Sequence, residues 1–113
     1  MTLIELLSRC ESYAERVFVT AAWPAFPDIE PQVQLGGYRG DFGIRDRGLV
    51  IEIDGQAYHS TPEQMQRDRK RDERIAGWGW RVLRFAASEI IDNPTACIAE
   101  IMATPEPLPF DEV

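Results

Sequence analysis

A chain of 113 residues, 44% hydrophobic and 27% charged, suits one domain with one modest core. No apolar stretch is long enough to span a bilayer, and Met1-Thr2-Leu3 has neither the basic segment nor the cleavage pattern of a secretory signal. The net charge of −7 argues against a protein that coats nucleic acid through bulk attraction, though a local basic surface remains compatible with it. The cysteines, Cys10 and Cys97, each lie within a helical pattern. They read as small buried hydrophobes of a reducing, cytoplasmic compartment rather than as a bridge or a zinc site.

Taken in chain order, residues 2 to about 22 predict a first helix. Leu3, Leu7, Cys10, Ala14, Val17 and Ala21 recur at helical spacing, and Leu6, Tyr13 and Phe18 widen the stripe. Glu15 precedes Phe18 by three residues, and periodicity alone makes it a flanking surface glutamate. Pro24, Pro27 and Pro31 make 23–31 a loop. Residues 32–35 form a short strand and Gly36-Gly37 a turn. Two strands follow, 38–44 and 50–54, joined by the turn signal Arg45 to Gly48. Residues 55–60 form a loop carrying His59, the single histidine.

The next helix starts cleanly, with Thr61 as N-cap, Pro62 at the first position and Gln64 completing a capping box, and it runs to about Ala76 before Gly77. Met65, Asp68, Asp72 and Ile75 share one face. Arg67, Arg69, Lys70, Arg71 and Arg74 occupy the others, laced by pairs such as Arg69 with Glu73. Residues 80–85 read as a central strand, because adjacent Val82 and Leu83 imply cover on both faces. Trp78 and Trp80 flank it as core. A helical turn at 88–91 precedes a helix from Asn93-Pro94 to about Ala103, with Cys97, Ile98, Ile101 and Met102 inward. Residues 104–113 read as a mobile Pro-rich acidic tail, leaving 1–103 as one domain. The order of elements predicts an α/β fold, a mixed sheet flanked by helices on both faces. The strands at 50–54 and 80–85 are parallel and joined by a right-handed crossover.

The candidate site is a set of acids within the paired strands. Alternation puts Glu52 and Asp54 on one face of their strand and Leu49, Ile51 and Ile53 on the other. The hairpin brings Asp41 across from Glu52 or from Asp54, and Phe42 and Ile44 take the core side. Two like charges about 4 Å apart repel by ~1 kcal/mol in water and ~4 kcal/mol at an effective dielectric near 20. Such a cluster calls for a divalent cation, a proton or an arginine, unless the sheet face is simply solvated. The apolar neighbours, with Gly43 and Gly55 leaving room beside the acids, favour a cation.

Tyr38-Arg39-Gly40-Asp41-Phe42, Ile51-Glu52-Ile53-Asp54-Gly55 with Tyr58-His59, Arg67-Asp68, Arg71-Asp72 and Gly79-Trp80-Arg81-Val82-Leu83-Arg84-Phe85, taken together, resemble the PD-(D/E)xK nuclease superfamily. Within it the chain looks like the branch of very-short-patch repair endonucleases and related small endonuclease-like domains. The resemblance implies a restriction-endonuclease-like sheet and a Mg²⁺- or Mn²⁺-dependent endodeoxyribonuclease acting in DNA repair, restriction or mobile-element defence. It places metal-binding acids at Asp41 and Glu52, with Asp54 beside them, and a further acid at Glu15 through Ser12-x-x-Glu15-x-x-Phe18. Its EDxHD variant adds His59 as the proton-transfer group and Asp68, or Asp54, to orient it. Arg69, Lys70, Arg71 and Arg74 would hold DNA phosphates, with a second copy or a partner protein supplying specificity. One departure stands out: Asp54 occupies the place where the superfamily often has lysine. The cation role has then moved, to Lys70 or Arg71, or the histidine variant applies, or the domain binds DNA or protein without cleaving.

Overall fold

Ser12 divides the first helical segment in two. The computed structural model describes residues 1–55 and 61–105, and in it α1 (Leu3–Arg9) and α2 (Tyr13–Ala22) are separate helices. Cys10 is extended, and the Ser12 hydroxyl accepts the Glu15 N–H at 3.1 Å as the N-cap of α2. The expected single helix fails because a Ser followed by Glu three residues on offers the backbone a fresh start. Both helices still bury one side, through Leu6, Ala14, Phe18, Val19 and Ala22, while Tyr13 lies outside the stripe, exposed.

The proline-rich stretch is not all loop. β1 (Glu30–Pro31) pairs antiparallel with β4 (Phe42–Ile44), at a sheet edge where proline is tolerated. The predicted strand 38–44 is split at Gly40-Asp41. Its first part, β3 (Tyr38–Arg39), forms a separate ladder with β2 (Gln34–Leu35) around Gly36-Gly37. A Cβ on Gly40 would lie 2.3 Å from Val50 Cγ1, so the chain bends where only glycine fits against that strand.

β5 (Leu49–Asp54) is the centre of the larger sheet, ordered β1-β4-β5-β6, antiparallel to β4 and parallel to β6 (Arg81–Ala86). The sheet is mixed, as expected. β6, however, is an edge strand rather than a central one. Its apolar pair reflects cover on both faces, not neighbours on both sides: Leu83 packs on one hydrophobic cluster and Val82 on the other.

The larger cluster joins Phe42, Leu49 and Ile51 to α1, α2, α4 (Ala87–Asp92) and α5 (Pro94–Ala103), through Leu6, Phe18, Ile90 and Ile101. The smaller one sets Val33, Leu35 and Val50 against Ile75 of α3 (Pro62–Ala76). Thus α3 alone of the described helices contributes to the second face, which is the face of Glu52 and Asp54. The capping box of Thr61 and Gln64 forms as predicted. Gly77 ends α3 in right-handed geometry, and the positive φ falls on Gly79, at 85°.

Two methionine expectations change. Met65 and Met102 are 49% and 54% exposed, outside the predicted apolar faces. The carbonyls of Thr104 and Pro105 accept from Arg47 and Arg81 at 3.5 and 3.2 Å, so the chain beyond α5 begins tied down. The rest of the expected tail, and the loop with His59, lie outside the described residues. Among those residues no helix is long and apolar enough to cross a membrane.

Candidate functional site

Register decides which acid Asp41 faces. β4 and β5 pair as Phe42↔Ile51, Gly43↔Val50 and Ile44↔Leu49, and one step further sets Asp41 opposite Glu52. The Ile53 N–H donates to Asp41 Oδ2 at 2.8 Å. Burial pushes the Asp41 carboxyl above its ordinary range despite that N–H, and the charges of Glu52 and Asp54 push the same way. Asp54 is raised by burial first, then by the charges of Glu52 and Asp68, against the opposing pull of Arg84 and Arg71.

Glu15 is buried, 9% exposed, rather than a surface glutamate. Its carboxylate accepts from the Glu11 N–H and the Ser12 hydroxyl, both at 3.3 Å. Burial raises it, and the nearby Asp41 charge adds to the effect. The capping that broke the first helix therefore also fixes this acid at the edge of the cluster.

Glu52 is held by three donors. The Tyr38 hydroxyl donates to Oε1, and Arg71 Nη2 and Arg84 Nε donate to Oε2 at 3.3 and 2.9 Å. Arg84 stands directly beside Glu52 in the β5/β6 register. Its two outer nitrogens form a fork on Asp72 at 2.8 and 2.9 Å, a geometry suited to bidentate carboxylate recognition. That fork explains why Asp72 lies on the inward face of α3. Arg71 also lies 3.6 Å from Asp68 and over the Tyr38 ring at 4.6 Å. Burial and the Glu52 partner hold the Tyr38 proton well above its ordinary range.

The arrangement brings together Asp41, Glu52 and Asp54, with Glu15 behind Asp41 and Asp68 across from Arg71. It separates the basic residues of α3. Arg69, Lys70 and Arg74 are exposed, whereas Arg71, expected with them on phosphates, turns inward onto Glu52. Sequence reasoning passed over Tyr38 and Arg84. The signal for Arg84 was an arginine between Leu83 and Phe85 in an otherwise apolar strand; the one for Tyr38 was weaker, an aromatic ahead of a glycine bend.

The cluster offers carboxylate oxygens, the ligands a hard divalent cation prefers. Among the described residues no three His, Cys, Asp or Glu side chains are gathered closely enough to hold a metal. Asp41 and Asp54 still fit one: each bears a half-buried charge that neighbouring carboxylates repel, and one or two carboxylates suffice for an ion that keeps its waters. Glu52 fits only after releasing its guanidinium partners.

Comparison with known proteins gives a consistent picture. Residues 26–104 match the REase_MTES_1575 family, which is restriction endonuclease-like. The chain is 31% identical over 70 residues to an uncharacterized protein of Haemophilus influenzae, covering 62% of this chain and 57% of the relative. A second match to an uncharacterized protein of that organism, 39% identical over 62 residues, covers 55% and 38%. The chain thus spans little more than half the length of the first of these relatives and less of the second. In fold it is similar to the catalytic domain of the homing endonuclease I-Bth0305I, with a TM-score of 0.63 at 17% identity, over 81% of this chain and 92% of that one.

Proposed function

Because the chain belongs to the REase_MTES_1575 family, a restriction endonuclease-like family, we propose that it is a Mg²⁺- or Mn²⁺-dependent DNA endonuclease that hydrolyses phosphodiester bonds in the cytoplasm, in repair, restriction or defence against mobile elements. The observation that supports this reading is the docking of the Asp41 carboxylate on β5, where it accepts the Ile53 N–H between Glu52 and Asp54, with burial raising the carboxyls of Asp41 and Asp54.

Asp41, Asp54 and a released Glu52 would hold the cation, with Glu15 as a further acid behind them. When bound, it supplies a water of lowered pKa and a polarised phosphate. His59 takes the proton from the attacking water or gives one to the leaving oxygen, the transfer an imidazole commonly performs. Asp68 orients it. Arg71, once freed from Glu52, would offset charge at the phosphate where the superfamily often uses lysine. Arg69, Lys70 and Arg74 hold backbone phosphates outside the site, giving affinity without sequence. A second copy or a partner protein supplies the specificity.

The test is cleavage of plasmid and labelled duplex DNA with Mg²⁺, Mn²⁺ or EDTA. Asp41→Ala is expected to lower the rate at least a hundredfold, and EDTA to abolish it; an Asp41→Ala protein that cuts as fast as the parent sinks the assignment. A second reading, a nuclease-like module that binds without cleaving, is favoured by one observation: both Glu52 oxygens already have donors. Calorimetric titration with Mn²⁺ separates the two, since the degenerate site takes up no ion.

A further inference from the structure

Beside the acids lies a groove of about 220 Å³, lined by Gly37, Tyr38, Arg71, Arg74, Ile75 and Trp78. It is smaller than the cavities that enclose drug-sized ligands, and suits one planar ring system with its substituent outside. Trp78 is 45% exposed here, not the core residue that its place before β6 suggested. Its six-membered ring lies against the backbone of Gly36, where φ is +60° and a Cβ would come within 2.6 Å of the ring. The β2–β3 turn thus fixes the indole in position.

A singly exposed tryptophan needs no explanation. This one shares its groove with two arginines, in a chain whose net charge is −7. One face of Tyr38 is taken by the Arg71 guanidinium at 4.6 Å, which leaves Trp78 as the open aromatic platform. Arg71 Nε is buried and has no hydrogen-bond partner among the described residues, a donor that awaits an acceptor. Arg74 is exposed at the rim. An aromatic plane between cationic side chains is the arrangement that binds unpaired bases with their phosphates.

The groove is also joined to the acids. Tyr38 and Arg71, which line it, are two of the three residues that donate to Glu52. We propose that this groove holds an unpaired nucleobase of a DNA strand, stacked on Trp78 with its phosphate on Arg74, so that the substrate is single-stranded or locally unpaired DNA. The inference rests on the nuclease reading and adds the substrate class to it. Occupying the groove would bring the strand against Arg71 and Tyr38, the residues whose hold on Glu52 must loosen for a cation to enter.

The experiment uses the full chain in EDTA, with oligonucleotides of one length in single-stranded and blunt duplex form. The single strands carry one 2-aminopurine, whose fluorescence falls on stacking. The unaltered protein is expected to bind single strands at least tenfold tighter than duplex and to quench the probe. Trp78→Ala is expected to lose about tenfold on single strands and little on duplex, with Trp78→Phe within threefold of the parent. Should Trp78→Ala fail to fold, Arg74→Ala at the rim is expected to lose about threefold on single strands. Equal affinity for the two forms, or an unquenched probe on the unaltered protein, overturns the groove proposal. So does a folded Trp78→Ala that binds single strands like the parent. If duplex is bound all the same, and is cut once Mg²⁺ replaces EDTA, the nuclease reading survives; binding of neither form overturns both.

Discussion

At Glu52 the local chemistry turns on competition between guanidinium groups and a cation. Arg84 ties β5 to α3 through Glu52 and Asp72. Removing one partner of such a half-buried network leaves carboxylates uncompensated. Arg84→Met is therefore expected to destabilise the fold by about 2 kcal/mol, below the range for fully buried pairs because the side chain is 26% exposed; urea unfolding reads it. Arg71→Ala removes a competitor instead, and should tighten Mn²⁺ binding several-fold in calorimetry. An unchanged or weaker affinity would mean that Arg71 does not restrain Glu52.

Asp54, with Asp41 and Glu15, contributes to the pH dependence. Its folded-state carboxyl is raised, by burial first and Glu52 next, so the folded chain keeps a proton to higher pH than the unfolded one. Its contribution to stability is present below the ordinary carboxylate range and is lost as pH rises through the raised value. In EDTA, Asp54→Asn should melt a few degrees above the parent at neutral pH, and the gap should close in acid. Alternation alone made the shared face of Glu52 and Asp54 legible. It could not reveal Arg84, whose meeting with Glu52 depends on the register of a strand thirty residues away in sequence.

Among the elements, the bend between β3 and β4 and the start of α3 carry the site. Gly40 lies against Val50 so closely that a methyl group would overlap it. Gly40→Ala should cost about 1–3 kcal/mol and weaken metal binding by moving Asp41, which follows it directly; a variant as stable as the parent would show the bend to be soft. The α3 start was readable because a capping box is a local device, closed within four residues. The β1 pairing and the split of 38–44 were not, since two-residue ladders have no periodicity to detect and are held by partners distant in sequence.

Over the whole molecule, an acidic chain gathers exposed basic residues on α3, at Arg67, Arg69, Lys70 and Arg74. If that surface tracks a DNA backbone, affinity falls with salt in proportion to the phosphates contacted. Replacing both Arg69 and Arg74 by Ala should weaken binding and flatten the logarithmic salt dependence by roughly 2. A slope unchanged from the parent would place the DNA elsewhere. α3 thus has two roles set by its two faces, one clamping the acids and one directed outward.

The sequence by itself determined the mixed sheet, the acid-bearing strands and the capped helix, because hydrophobic alternation, turn residues and caps act between near neighbours in the chain. Only the tertiary structure decided that Glu52 is gripped by Arg71, Arg84 and Tyr38, that Glu15 is buried beside Asp41, and that Trp78 is an exposed platform. Those outcomes depend on which strands become neighbours and on how α3 lies across them. Long-range packing fixes both, and no short-range pattern encodes either.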